Sequence, residues 1–233
     1  MRRGYNAEAM NILALETSTE RLSLALGAGE ALYVSDFVAG QRHAELIVGE
    51  IEKLLHEAHL SIAQIEAIVY GEGPGAFTGL RIACGIAQGL ALARDLPVLG
   101  VGTLIAVAES SKAPRVIVCL DARMGEVYHA AFQKDDASQW KTVHEPGLYK
   151  PHEVPLPIGS NWTGCGSGFA VHAEILIQRL GSAMSVIKTD LFPNAAAMLR
   201  LARPRLQSGE GRDAATAAPL YIRDKVALKT SER

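Results

Sequence analysis

Cysteine is scarce in this chain. Cys84, Cys119 and Cys165 stand too far apart to form a Cys-x-x-Cys pair. That excludes a disulfide framework and a zinc knuckle, and suits reduced thiols in the cytoplasm. No apolar run approaches the roughly 20 residues a membrane helix needs. Two arginines near the N-terminus precede no hydrophobic stretch, so no secretory signal is expected. Charge of one sign is also missing: a formal net charge of −2 gives no overall attraction to nucleic acid. Aromatic residues make up only 6% of the chain against 48% hydrophobic residues overall, so the core is expected to be built from alanine and leucine. No Gly-Lys-Ser/Thr ending occurs in the glycine-rich stretch, which rules out a P-loop.

What the chain does have is the segment Gly71-Glu-Gly-Pro-Gly-Ala-Phe-Thr-Gly-Leu-Arg81. It follows the apolar run Ile65–Tyr70, read as a buried strand, and opens a long helical pattern with Thr78 as the expected N-cap. Strand, glycine-rich turn and helix together bring backbone amides and a helix N-terminus to one point. Such a loop can cradle a phosphate or serve as a rigid corner. Arg81 falls in the first helical turn, where the helix dipole disfavours a cation, so it is expected to reach solvent or meet an anion.

The 233 residues suit one large domain or two small ones. Residues 1–9 are polar and patternless and read as an extension, disordered or appended, ahead of the fold. Strands are expected at 11–16, 22–26 and 31–36, forming an antiparallel meander. An amphipathic helix follows over 44–59, with Ile47, Ile51, Leu54, Leu55 and Ala58 as its apolar stripe. The strand at 65–70, a helix over 78–94, a strand at 97–101 and a helix over 103–110 complete the first half. This β-β-β-α-β-α-β-α order matches half of a nucleotide-binding fold of the actin type, which repeats the unit in two lobes. Residues 10–111 are assigned to the first lobe and 112–233 to the second. Strands at 116–120 and 126–132 repeat the opening. A proline-rich connection over 146–157 and a Gly/Ser/Asn-rich stretch over 159–168 come next, then helices at 169–180 and 194–207. The second lobe is expected to be abbreviated, with its last helix packing back on the first.

Three segments carry a resemblance: Ile12-Leu-Ala-Leu-Glu-Thr-Ser-Thr19, Gly73-Pro-Gly-Ala-Phe-Thr-Gly-Leu-Arg-Ile82 and Asp121-Ala-Arg-Met-Gly-Glu-Val-Tyr128. With the late Pro219-Leu-Tyr-Ile-Arg-Asp-Lys-Val-Ala227, their order and spacing make the chain similar to the TsaB family. The resemblance implies an α/β, actin-like ATPase (ribonuclease H-like) fold. It also implies a non-catalytic subunit that binds and stabilises TsaD, the metal-dependent transferase, with TsaE, an ATPase. The complex places a threonylcarbamoyl group on N6 of the adenosine next to the anticodon, in tRNAs that read codons beginning with A. The tRNA is then met only through the complex, and the chain alone pairs with itself.

In TsaD-like proteins the strand after the glycine-loop helix leads into a His-x-x-x-His metal pair. Laying residues 95–101 on that strand puts Thr103 and Val107 at the ligand positions, so neither a metal nor a cofactor is expected. No catalytic residue is assigned. The resemblance implies a partner surface on the 44–59 and 78–94 helices, with Ile47, Ile51, Leu54, Leu55, Leu80, Ile86 and Leu90 as contacts. Ile51→Glu or Leu54→Arg should then weaken pairing without unfolding the chain. Glu16, Thr17, Ser18, Thr19, Gly73 and Gly75 are candidates for a vestigial nucleotide cleft.

Other arrangements carry weaker signals. His43 with Glu45, and His56 with His59, offer thin metal-ligand spacing. Ser18 and Ser23 lack a histidine cue for nucleophilic chemistry. Asp121 and Glu126 set two carboxylates at a strand turn. Arg200, Arg203, Arg205 and Arg212, with Arg223, Lys225 and Lys229 beyond, form a basic cluster that reads first as a solvated surface. The rival function is an active enzyme of the same superfamily, a phosphotransferase or a glycoprotease-like hydrolase. A third reading is a homodimer with a regulatory nucleotide site.

Overall fold

Leu13 and Leu15 face one way from the first strand and Ile12 and Ala14 the other, and all four are fully buried. A strand apolar on both sides must lie inside a sheet covered on both faces. The computed structural model describes residues 10–223 and places that strand, β1 (Ile12–Glu16), at the centre of a five-stranded sheet. The expected leading extension and the lysines at 225 and 229 lie outside the described residues. Strands β2 (Arg21–Ala28) and β3 (Ala31–Val38) pair antiparallel on one side of β1. On its other side, β4 (Ala67–Gly73) and β5 (Val98–Gly102) run parallel to it. Helices α1 (His43–Glu57) and α2 (Phe77–Leu92) connect them, and α3 (Thr103–Ser111) leads out.

The second half repeats this plan. β6 (Arg115–Asp121), β7 (Val127–Lys134), β8 (Trp140–Tyr149), β9 (Trp162–Cys165) and β10 (Met184–Lys188) form the order β10-β9-β6-β7-β8, the same topology around β6 as around β1. The abbreviation falls on helices. A three-residue 3-10 turn, Pro151–Glu153, stands where the first half has α1, and α4 (Gly168–Val171) with α5 (Ala173–Leu180) stand where it has α2. The expected proline-rich connection is therefore corrected. Pro146 lies within β8, an edge strand whose pairing with β7 is broken by register shifts, and an edge strand can carry a proline. β9 was missed because it is only four residues long, and β10 because it is an edge strand with little buried apolar pattern.

The two halves exchange their last helices. α3 packs on β6 and β7, while α6 (Ala195–Gln207) packs on β1, β2, β4 and β5. Leu104, Val107 and Ala108 thus join the core of the second sheet. Met198, Leu199, Ala202 and Leu206 join that of the first. Ser23 fixes the N-terminus of α6 by accepting the Ala195 amide at 3.0 Å. The lobes are consequently joined at their base by a crossed helix pair, and a cleft opens between the ends of β1 and β6.

Candidate functional site

β1 ends at Glu16, and the next turn carries Thr17, Ser18 and Thr19 into the cleft floor. The glycine loop closes over this turn with no space to spare. The Thr17 hydroxyl donates to Gly79 O at 2.7 Å and the Ala76 amide to Ser18 O at 2.8 Å. A Cβ on Gly79 would lie 1.9 Å from Thr17 O, and one on Gly75 2.5 Å from the Ser18 Cβ. The glycines are required here by close approach of backbone to backbone. The second half repeats the contact, since a Cβ on Gly166 or Gly168 would lie 2.6 or 2.8 Å from Cys119 O. Helix α2 begins at Phe77 with Ala76 as N-cap, so Thr78 is not the cap that was expected.

The cleft encloses about 910 Å³ and is lined by Thr17, Ser18, Thr19 and Gly75 among the expected nucleotide-cleft residues. Glu16 and Gly73 lie behind its wall. Glu16 is 1% exposed, and one of its carboxylate oxygens accepts the Ser18 amide. The other has no partner among the described residues and faces Gly71, where a Cβ would sit 2.1 Å from it. Burial pushes this carboxyl up to about 7, against the hydrogen bonds from Ser18 and Thr17, with a small contribution from Asp36.

On the opposite wall, Asp121 ends β6 as Glu16 ends β1. Its carboxylate accepts the Arg123 amide at 3.0 Å and pairs with the Arg123 guanidinium at 3.1 Å. Glu126 is committed elsewhere, to Arg223 at 2.6 Å, so these two carboxylates are separated by their partners. His172, which sequence reading overlooked, buries Nε2 3.7 Å from Asp121. A lone histidine between two short helices carries no pattern signal.

The remaining candidates serve the fold. The Thr103 hydroxyl donates to Pro74 O, and Val107 is fully buried in the second core. His43 is buried with Nε2 3.0 Å from Arg21 O. His56 and His59 are exposed, and among the described residues no group of three or more His, Cys, Asp or Glu could hold a metal ion. Arg81 is exposed to solvent, one of its two expected outcomes. Its guanidinium stacks 3.7 Å from the Phe77 ring centroid and donates to Tyr221 Oη at 2.9 Å. In the basic cluster, Arg200 pairs with Glu109 and Arg205 with Glu210. No helix among the described residues is long and apolar enough to cross a membrane.

The expected contact residues divide into two sets. Ile47, Leu54 and Leu80 are at most 2% exposed, and Ile47 and Leu54 pack in the core between α1, α2 and the first sheet. They cannot be surface contacts, and Leu54→Arg would bury an unpaired charge in the chain's own core. Ile51, Leu55, Ile86 and Leu90 instead line an open groove of about 600 Å³ between α1 and α2. Val48, 52% exposed, and Ile62 join them, although sequence reading had not chosen either. Gly85 and Gly89 floor the groove, with nothing within 4 Å of where a Cβ would stand. The helical period identified the apolar stripe; it could not say which part of it the sheet covers.

A family model described as TsaD, tRNA N6-adenosine threonylcarbamoyltransferase, matches residues 37–230. The Escherichia coli tRNA threonylcarbamoyladenosine biosynthesis protein TsaB is 35% identical, over 94% of this chain and 97% of its own length. The Haemophilus influenzae TsaB is 32% identical, over 94% and 96%. The solved structure of YeaZ from Pseudomonas aeruginosa superposes with a TM-score of 0.84 at 35% identity, covering 91% of this chain and 99% of that one.

Proposed function

Because this chain belongs to the TsaB family of tRNA threonylcarbamoyladenosine biosynthesis proteins, we propose that it acts there as a partner-binding subunit rather than as the catalyst. One observation carries the reading. The two positions that correspond to a TsaD metal pair are spent on folding, with the Thr103 hydroxyl on a backbone carbonyl and Val107 packed into the second core. Both side chains are fully buried, and valine has no atom with which to ligate a metal or bind a polar substrate group.

The partner is a TsaD-like catalytic subunit, and a TsaE-like ATPase completes the assembly in the cytoplasm. Threonylcarbamoyl transfer to N6 of the adenosine beside the anticodon, in tRNAs for codons beginning with A, takes place on the partner. The docking face is the α1/α2 groove, since Val48, Ile86 and Leu90 are apolar there and the glycines at 85 and 89 let a facing helix approach closely. A two-helix contact of this kind is compatible with a standard interface of roughly 1,600 Å² in total. Without the partner, the same face joins two copies of the chain.

The test is reconstituted transfer with purified partners, with and without this chain. Val48→Glu and Ile86→Glu are compared with the wild type, and circular dichroism checks folding. Loss of both capture and transfer by a folded variant supports the reading. Transfer by this chain alone would defeat it, and undiminished capture would defeat the placement.

A second reading rests on the cleft, whose volume falls in the range of small-molecule pockets and whose floor is rich in hydroxyl groups. Saturable binding of ATP–Mg by the isolated chain, measured calorimetrically, would establish it.

A further inference from the structure

The segment after α6 crosses the molecule from one lobe to the other. After a 3-10 turn at Ala214–Thr216 it lies along the first lobe. Ala217 O accepts from Gln88 Nε2 at 3.0 Å. The Tyr70 hydroxyl takes both the amide and the carbonyl of Ala218, at 3.2 and 3.3 Å. The Leu220 amide donates to Glu72 O at 2.6 Å. Gly73 makes that seat: a Cβ there would lie 2.6 Å from Leu220 O, at a backbone φ of 119°. Tyr221 then stacks on Phe77, with ring centroids 5.1 Å apart, and accepts from Arg81. Phe77 and Arg81 both belong to α2, the helix behind the glycine loop.

The next two residues reach the second lobe. Ile222 packs against its core. Arg223 donates to Glu126 Oε2 at 2.6 Å and to Arg123 O at 3.4 Å, and its other terminal nitrogen lies 3.4 Å from Met124 Sδ. It thereby grips the turn between β6 and β7, where Arg123, Met124 and Gly125 have φ of 63°, 56° and 74°. Two consecutive non-glycine residues in the left-handed region persist only where their surroundings hold them. Arg223 is 15% exposed at its side chain, so its pair with Glu126 is shielded from salt far better than a surface pair. Leu220 to Arg223 also line the cleft.

The lobes are joined at the base by the exchanged helices α3 and α6, an arrangement that can hinge. We propose that residues 217–223 are a latch across the mouth of that hinge. Tyr221 anchors it to α2, and Arg223 holds the 122–126 turn, so the chain closes its own cleft. The proposal does not depend on the partner assignment, because every contact in it is internal.

The test measures the separation of the lobes in the full-length chain. Spin labels are placed on Glu30→Cys and Asp136→Cys, exposed positions on different lobes, since the three described cysteines are buried. Electron–electron distance distributions are compared for the wild type, Arg223→Ala and Glu126→Gln, with hydrogen exchange of the 122–126 amides measured alongside. Both latch variants should broaden the distribution and raise turn exchange about tenfold, while β1 and β6 amides keep their protection. An unchanged distribution in either folded variant overturns the latch. If Arg223→Ala does not fold, Glu126→Gln alone decides, because it removes the same ion pair from the other lobe and preserves the size of its side chain.

Discussion

Glu16→Gln is the most direct probe of the cleft floor. The wild-type carboxyl titrates near 7 in the folded chain, raised from 4.5 by burial. Between those two values the folded state holds a proton that the unfolded state has released. Stability from this group is therefore complete below pH 4.5 and is lost as pH rises through 7. At about 1.36 kcal/mol per pH unit, the window amounts to roughly 3 kcal/mol. Glutamine mimics the protonated form: its carbonyl can accept the Ser18 amide, and it does not titrate. Its NH₂ faces Gly71 without an acceptor, a cost of about 1–3 kcal/mol that is the same at every pH. The difference between variant and wild type is thus the readout, and its change with pH isolates the proton. Urea unfolding at pH 4.5 and pH 8 should show the variant gaining roughly 2–3 kcal/mol on the wild type between the two. Groups common to both proteins cancel. An equal difference at both pH values would mean that Glu16 is ionised in the fold, and the account of a neutral carboxyl behind the cleft wall would be wrong.

The remaining predictions use other parts of the structure. Burial and the neighbouring His144 push His129 down to about 3, so its contribution is complete above pH 6.5 and lost as pH falls toward 3. This group should therefore withdraw up to about 1.4 kcal/mol per pH unit below 6.5, opposing the gain from Glu16, and His129→Gln should gain on the wild type between pH 7 and pH 5 in thermal melts. Gly79→Ala should cost at least about 1–3 kcal/mol, because its Cβ would meet Thr17 O, and denaturant midpoints will report it. Gly85→Ala points into open space from a helix interior and should stabilise the free chain by about 0.5–1 kcal/mol. In a pull-down the same variant should capture the partner less well. Leu54→Arg should lose its circular-dichroism melt altogether, whereas Val48→Glu should keep it; a folded Leu54→Arg would show the α1 stripe to be outside the core.

The glycine loop shows how far local pattern reaches. Its strand, turn and helix were legible because each is a run of neighbouring residues, and Thr17, Ser18, Thr19 and Gly75 do meet in the cleft. The β-β-β-α-β unit was legible for the same reason, since β1 and β4 each carry an apolar run, Ile12–Leu15 and Ala67–Tyr70, and β2 alternates. The second sheet was harder to see. β8 and β10 are largely uncovered edge strands, and β9 is too short to show a period. Their strand state comes from pairing with β6 and β7, not from propensity.

Sequence alone determined the family, the repeated strand order of the opening halves and the position of the glycine-rich turn between strand and helix. These depend on residues a few positions apart, and on spacings that a one-dimensional pattern records. Tertiary structure alone decided that Ile47 and Leu54 belong to the core while Val48 faces solvent, that Glu16 lies behind the cleft wall, and that Arg223 reaches Glu126, 97 residues away. Burial, the pKa of a carboxyl and the partner of a guanidinium are set by whatever the fold brings alongside. Periodicity says which side of a helix is apolar, but only the packed neighbours say whether that side is covered.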